Sequence, residues 1–381
     1  MKKNILFVSE IKDPYYKDFS STQIMTNNII DGLIQAAEHM TFVALVDANC
    51  NEKNVVEYYS RKVDKVYIIH SHLNLTLTDN KYIKLARVVQ SWKFSGQYKK
   101  DLEALFQEEN NFDLLISHSP TVEVISISKQ IQEKFKLNYI QYWSDPYAVA
   151  GILPENMGIK RVVQKCLEKS MLKIADDVVY GTRTLMEFQK EIFPELANKM
   201  RYVDVSYCDM AGSEEKKDSD KLQVIYSGDY YTSIRNIEPF YEAAKEIENC
   251  HFRIIGKSDL KLDTTDDVEV LERRPYQEVL KYENESDVIV CLLNHSCVQI
   301  PGKIFYRVNA KQHILIILDG AYQEKFRNYL ESFGRFEFCE NNKESIKKCI
   351  SEIVKKPALV ETQLLEQLSA KRVGEEIVNG K

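Results

Sequence analysis

The chain has 381 residues, 44% of them hydrophobic and 28% charged, with 13 Gly, 9 Pro and a formal net charge of -6. That length points to two domains of about 150 to 200 residues each; the composition excludes a low-complexity chain, and the acidic balance gives no general attraction to nucleic acid. Eight cysteines without CxxC pairs or neighbouring histidines at ligand spacing fit a reduced, cytoplasmic protein and argue against a disulfide framework or a zinc site.

The N-terminal stretch MKKNILFVSEIKD carries a short apolar run that Glu10, Lys12 and Asp13 end before a secretory segment could be completed. It reads as a first buried strand. No apolar run approaches the roughly 18 residues that a membrane span requires.

A helix is predicted over 23–38, then strands at 40–46 (MTFVALV) and 65–70 (KVYIIH), a helix over 81–108 and a strand at 113–118 (DLLISH). A helix over 123–134, a strand at 138–145 (NYIQYWSD), a long helix over 159–176 and a strand at 177–182 (DVVYGT) complete the first half. Continuous apolar strands separated by amphipathic helices predict a parallel sheet covered on both faces, a doubly wound α/β domain. Residues 209–221 (DMAGSEEKKDSDK) are polar and form the best linker in the chain.

After the linker the alternation restarts. Strands are predicted at 222–228 (LQVIYSG), 251–256 (HFRIIG), 268–273 (VEVLER), 287–293 (DVIVCLL), 313–318 (HILIIL) and 335–340 (RFEFCE). Helices are predicted over 237–248, 276–283, from Lys303 onward, over 323–333, 343–355 and 359–378. The fold class is therefore α/β, two Rossmann-like doubly wound domains facing a cleft at their strand carboxyl ends, where open α/β sheets bind ligands.

Three residues of the second half invite a chemical reading on their own. Lys303 follows Pro301-Gly302 at a predicted helix start, where backbone amides and the helix dipole favour an anion. Gly302 would let that anion approach the backbone. Arg235 lies on the loop after the first strand of this half. The plain alternatives are a solvated lysine at a helix start and an ordinary loop arginine. In the first half, His118 ends the strand DLLISH and Asp145 ends NYIQYWSD, each able to line a cleft or to cap a turn. His70 and His72 have the spacing of metal ligands but lack a third partner.

The ordered landmarks VIYSGDYYTSIRNIEPFYEAAKEI, FRIIGKSD, VEVLERRPYQEVLKYENESDVIVCLL, IPGKIFYRVNAKQHILIIL and FEFCENNKESIKKCISEIV resemble the donor domain of GT-B glycosyltransferases of the family 4 type, over 222–354. FDLLISHSP and IADDVVYGTRTLMEFQ continue the likeness more weakly in the first half. The resemblance implies an acceptor-side domain over 1–208, a linker over 209–221, a nucleotide-sugar donor domain over 222–357, and a C-terminal helix within 358–381 packing back on the first domain.

It further implies that Lys303 and Arg235 stabilise the departing diphosphate and that Gly228 and Gly302 border it. Arg274, with Pro275, would lie near the base, His118 would contact the transferred sugar or the acceptor, and Asp145 would line the acceptor side. The motif departs from the family at Tyr306, where a glutamate for the ribose hydroxyls would stand, and at Val298, where another acid would stand. Asn294 and Gln299 are then the candidates to hold ribose and sugar. Ser20 and Ser21 occupy a loop where many relatives carry two glycines.

The expected function is transfer of a hexose-type sugar from a UDP- or GDP-linked nucleotide sugar to a glycan or lipid-linked acceptor in surface polysaccharide assembly, retaining and metal-independent, with no cofactor. The expected place is the cytoplasm. A basic helix side (Lys160, Arg161, Lys165, Lys169, Lys173) and the segment SWKFSGQYKK (Trp92, Phe94, Lys99, Lys100) would suit peripheral contact with an anionic membrane at its inner face, and equally suit an ordinary solvated face. Two other readings stand beside the transferase: a non-catalytic GT-B subunit that stabilises a partner, and a nucleotide-sugar epimerase of the same fold.

Overall fold

The structure is a computed structural model that describes residues 2–15, 21–73, 81–93, 95–118, 121–148, 158–208, 219–295, 297–356 and 365–380. Its described residues divide into two compact units, one drawn from 2–15, 21–206 and 367–380, the other from 207–366. Ser20, Phe94, most of the expected linker (209–218) and residues 359–364 of the expected closing helix lie outside the described residues.

In the first unit the strands are β1 (Lys3–Glu10), β2 (Ala37–Val46), β3 (Lys65–His70), β4 (Leu114–His118), β5 (Asn138–Trp143), β6 (Asp177–Tyr180) and β7 (Met200–Tyr202). They form a parallel sheet in the order β3-β2-β1-β4-β5-β6-β7, so the direction of winding reverses between β1 and β4. Ile5, Leu6, Phe7 and Val8 are all at 0% exposure, as a central parallel strand covered on both faces requires. The helices are α1 (Ser21–Ala36), α2 (Glu52–Tyr59), α3 (Lys81–Lys93), α4 (Glu103–Glu108), α5 (Val122–Phe135), α6 (Ile159–Leu172) and α7 (Arg183–Ile192).

The structure departs from the sequence expectation in several places: α2 and α7 are helices that the sequence reading did not name, and the closing helix begins at Ala370 rather than near 359. The single helix expected over 81–108 is broken into α3, a 3-10 turn at Ser95–Lys99 and α4, because Ser95-Gly96 supplies weak helix formers in its middle. β2 follows α1 without a loop. β7 has only three residues, too short to show a period.

The second unit holds β8 (Leu222–Ser227), β9 (Cys250–Ile255), β10 (Val268–Leu271), β11 (Val288–Leu292), β12 (His313–Leu318) and β13 (Glu337–Glu340), with α8 (Glu238–Ala244), α9 (Tyr276–Glu285), α10 (Lys303–Tyr306), α11 (Gln323–Glu331) and α12 (Lys343–Ile353). Its parallel sheet runs β10-β9-β8-β11-β12-β13, and the winding reverses between β8 and β11. Val224, Phe240, Phe252, Ile254, Val290, Leu315, Ile346 and Ile350 build its core.

The last helix, α13 (Ala370–Asn379), packs on α1 of the first unit. The two backbones meet closely: a Cβ on Gly32 would stand 2.3 Å from the Ala370 carbonyl oxygen, and one on Gly374 would stand 2.2 Å from the Gly32 carbonyl oxygen. Only glycine at both positions permits that approach.

Candidate functional site

The reversal between β8 and β11 is the place where an open α/β sheet separates its loops and leaves room for a ligand. β8 ends at Ser227 and is followed by Gly228 at φ +152°, a conformation that side-chain-bearing residues rarely adopt. The Gly228 carbonyl lies so close to β9 that a Cβ on Gly256 would stand 2.1 Å from its oxygen. The two glycines fix how the first loop leaves the sheet.

That loop delivers Arg235. Its Nε donates to Asn294 Oδ1 at 2.7 Å and its Nη1 to the Asp229 carbonyl at 3.3 Å, while Asn294 Nδ2 donates to the Gln299 carbonyl at 3.1 Å. Three residues expected at the donor site, Arg235, Asn294 and Gln299, are thus joined in one chain of hydrogen bonds spanning the loops after β8 and β11. Asn294 is buried, so its amide orients the guanidinium more than it offers itself to solvent.

Lys303 reaches the same strand end by another route. Its ammonium donates to the Ser227 carbonyl at 2.7 Å and to Ser227 Oγ, and stands 2.6 Å from Glu283 Oε1 on α9. The other oxygen of Glu283 accepts from Arg307 Nε at 2.6 Å. The Glu283 side chain is 1% exposed and that of Arg307 4%, against 22% for Lys303. Burial alone would raise the Glu283 pKa, but Lys303 and Arg307 overcome it and hold the carboxyl down to about 2. Two cations against one carboxylate leave the trio at +1 (2 − 1), and Lys303 is its accessible member.

This corrects the expected reason for a cation here. The helix behind Lys303 is a single turn of four residues, too short for a macrodipole of any size, and the amides of Ile304, Phe305 and Tyr306 already donate to the carbonyls of Pro301 and Gly302. The charge on this spot comes from side chains. The approach of an anion to Gly302 is corrected too: a Cβ there would stand 2.8 Å from the Tyr306 hydroxyl and 3.0 Å from its Cζ, so the phenol ring occupies the space the glycine leaves. Tyr306 is itself buried, as is Val298.

Arg274 is not drawn into this cluster. It is half exposed and lies 3.7 Å from Glu278, one turn along the start of α9. Its neighbour Arg273 is the one that turns toward the β8 loop, 4.0 Å from Asp229.

In the first unit His118 ends β4 beside Ser9 of β1, at the reversal point of that sheet, but it does not project into open space. The ring is fully buried, with Nδ1 3.0 Å from Thr26 Oγ1 and its face edge-on to Tyr142, while Nε2 has no partner among the described residues. Burial pushes its pKa down to about 3, so it is neutral at physiological pH. Asp145 follows β5, and Ser144 Oγ donates to its Oδ2 at 3.4 Å. Just beyond it, the buried Glu168 of α6 accepts from the amides of Tyr147 and Ala148 at 3.2 and 2.9 Å, and Arg161 donates to the Ala148 carbonyl at 2.6 Å.

The basic side of α6 is therefore partly spent inside the unit: Arg161 on that carbonyl, Lys165 over the Phe193 ring and Lys169 on Glu195 at 2.5 Å. His70 and His72 each face a carboxylate of their own, Glu52 at 2.8 Å and Asp101 at 2.6 Å. Among the described residues no group of His, Cys, Asp and Glu could hold a metal ion, and no helix is long and apolar enough to cross a membrane.

Ser227, Glu283 and Arg307 were missed in the sequence. Glu283 had one signal: it falls four residues after Val279 on the inward side of a predicted helix, where an acid needs a partner. Nothing local identified that partner.

No protein-family model matches the chain, and no curated protein matches it. Solved structures do. The glycotransferase of kitacinnamycin aligns over 99% of this chain and 96% of its own, with a TM-score of 0.54 and 12% identity. Anabaena Alr3699/HepE in complex with UDP and glucose aligns over 98% and 94%, at 0.55 and 10%. A UDP-N-acetylglucosamine 2-epimerase aligns over 99% and 96%, at 0.52 and 12%. At such identities the likeness speaks for the fold: two parallel-sheet α/β domains of the GT-B architecture, a scaffold that carries both transferases and an epimerase.

Proposed function

We propose that this chain is a glycosyltransferase that moves a sugar from a UDP- or GDP-linked nucleotide sugar to a glycan or lipid-linked acceptor. One observation carries the reading: Arg235 and Lys303, two cations far apart in sequence, converge through Asn294 and Ser227 on the strand ends where the second sheet reverses. A leaving diphosphate needs this kind of preorganised positive charge, and the resembled family places its donor there. A role in surface polysaccharide assembly, a retaining and metal-independent outcome, and work in the cytoplasm with peripheral membrane contact are taken from the resemblance as parts of the same proposal.

Isothermal titration with a panel of UDP- and GDP-sugars tests it. Binding of at least one donor, weakened by Lys303→Ala and by Arg235→Ala, is the expected result. Absence of binding across the panel sinks the transferase reading, and an unchanged affinity in both variants removes the phosphate role.

A second reading, a non-catalytic subunit that stabilises a partner transferase, is favoured by Tyr306, whose ring fills the space beside Gly302 where the resembled motif keeps a carboxylate for the donor. Such a subunit would co-purify with a transferase yet release no nucleoside diphosphate from any donor.

A further inference from the structure

The loops after β11 and β12 carry a histidine and an aspartate that the reading above does not use. His295 Nδ1 lies 2.9 Å from Asp319 Oδ1. A carboxylate can only accept, so Nδ1 carries the proton in this pair and Nε2 is left on the opposite side of the ring. The His295 side chain is 62% exposed and that of Asp319 14%, the disposition of a reactive ring backed by a sheltered acid.

The pair is held from four loops. The Gly320 amide donates to Asp319 Oδ1 at 2.7 Å, and Asn341 Nδ2 donates to Oδ2 at 2.8 Å and to the Asn236 carbonyl at 2.9 Å. The His295 amide donates to the Ile234 carbonyl at 2.7 Å. Gly320 has φ +77°, and a Cβ there would stand 2.1 Å from the His295 carbonyl oxygen, so glycine is required for the two loops to meet. An exposed ion pair is by itself worth about 0 to 1 kcal/mol; a network this specific fixes the direction of a ring. Ile234 precedes Arg235 and Asn294 precedes His295, so the dyad and the Arg235–Asn294 bond sit on the same two loops. Charged groups on those elements include Asp319, which touches the ring, Arg235, held by Asn294 and the Asp229 carbonyl, Asp229, whose carboxylate accepts from the Lys257 amide and faces Arg273, and Glu340 at the end of β13, held by the Asn342 side-chain amide.

We propose that His295, oriented by Asp319, is the proton donor to the departing diphosphate. The inference rests on the donor-site reading above. In the step, the bond between the sugar C1 and the β-phosphate oxygen breaks and its electron pair stays on that oxygen, which takes the Nε2 proton. The acceptor hydroxyl oxygen forms the new bond to C1 and releases its proton, which restores the imidazolium. Asp319 is a positioning residue: it stabilises the charged ring and fixes which nitrogen faces the ligand.

Two measurements on the full chain separate this idea from the transferase reading. The first follows the His295 imidazole by NMR during a pH titration with and without UDP; UDP should raise its midpoint, and a midpoint that does not move overturns the proposal. The second measures nucleoside diphosphate release against pH for the wild type, His295→Gln and Asp319→Asn. General acid catalysis predicts a loss of about 10²- to 10⁴-fold in kcat for His295→Gln with disappearance of the basic limb. Asp319→Asn should shift that limb to lower pH, because the imidazolium loses its partner. Release by His295→Gln at the wild-type rate and with the wild-type pH profile overturns the role of His295 while leaving the transferase reading intact. A UDP-induced shift with no release from any donor keeps the phosphate contact and sinks the transferase. His295 is exposed, so its substitution by Gln should leave the fold unchanged, which circular dichroism checks.

Discussion

The Lys303 ammonium and the Glu283 carboxylate, 20 residues apart in sequence, stand 2.6 Å from each other, and Glu283 is shared with the buried Arg307. This arrangement makes Lys303 both the accessible cation of the candidate site and, together with Arg307 and the Ser227 hydroxyl, a support for a carboxylate that stays charged inside the unit.

Removing the acid should therefore hurt more than removing either cation. Glu283→Ala leaves the Arg307 guanidinium buried without its carboxylate, and an uncompensated buried charge of this kind costs about 3 to 5 kcal/mol. Urea unfolding followed by circular dichroism checks this. The double variant Glu283→Leu with Arg307→Met, which replaces the pair by apolar groups, should recover most of the loss; no recovery would mean that the pair does more than neutralise itself.

Tyr306 and Gly302 should show the opposite kind of coupling. Gly302→Ala places a methyl group 2.8 Å from the Tyr306 hydroxyl and must push the ring aside. Overpacking of this sort costs about 1 to 3 kcal/mol. Combined with Tyr306→Ala, the Gly302→Ala substitution should add little further loss, since the clashing ring is gone. Additive effects in a double-mutant cycle would show that the contact is not the cause.

Three buried groups make stability depend on pH, in opposite directions. Burial raises the Glu168 pKa from its ordinary 4.5 to about 7, so between those values the folded state keeps a proton that the unfolded chain has lost. Stability from this group is present below about pH 4.5 and is lost as pH rises through about 7. Glu168→Gln should flatten that decline in a series of thermal melts. His118 and Glu283 act at the acid end: with folded pKa values of about 3 and about 2, they remove stability as pH falls from 6.5 and 4.5 respectively. NMR should find no titration of the His118 ring between pH 5 and 8; a midpoint near 6.5, the ordinary value, would contradict its burial.

The closing helix gives a packing prediction. Gly374→Leu drives a side chain into the α1 backbone at Gly32, where even a Cβ would stand 2.2 Å from the carbonyl oxygen. The substitution should detach α13 and speed proteolysis after the second unit, whereas Gly380→Leu, beside which nothing lies within 4 Å, should not by crowding.

Much of the fold was legible because its cause is local. The runs ILFV, LLI, VIVCL and ILIIL are apolar at every position, as strands covered on both faces require, and amphipathic helices between them favour parallel winding. Helix ends were less legible where the chain supplies no stop signal, as between α1 and β2, and where Ser95-Gly96 interrupts an otherwise helical pattern. Lys303 could be nominated from its place at a helix start and Arg235 from its loop after a strand, Asn294 and Gln299 only through the family resemblance. Their partners could not.

The reason is physical. Periodicity and composition determined most of the strands and helices, that there are two winding units, and that Pro301-Gly302-Lys303 opens a helical segment, since each of these depends on neighbours within a few residues. Tertiary structure alone decided that Lys303 is joined to Ser227 and Glu283, that Tyr306 folds over Gly302, that His118 is neutral and enclosed, and that His295 meets Asp319. These are pairings across 4 to 92 residues of chain between Gly302 and Tyr306 at one extreme and Thr26 and His118 at the other. Burial and charge at each are set by what the sheet order brings alongside, which no local pattern contains.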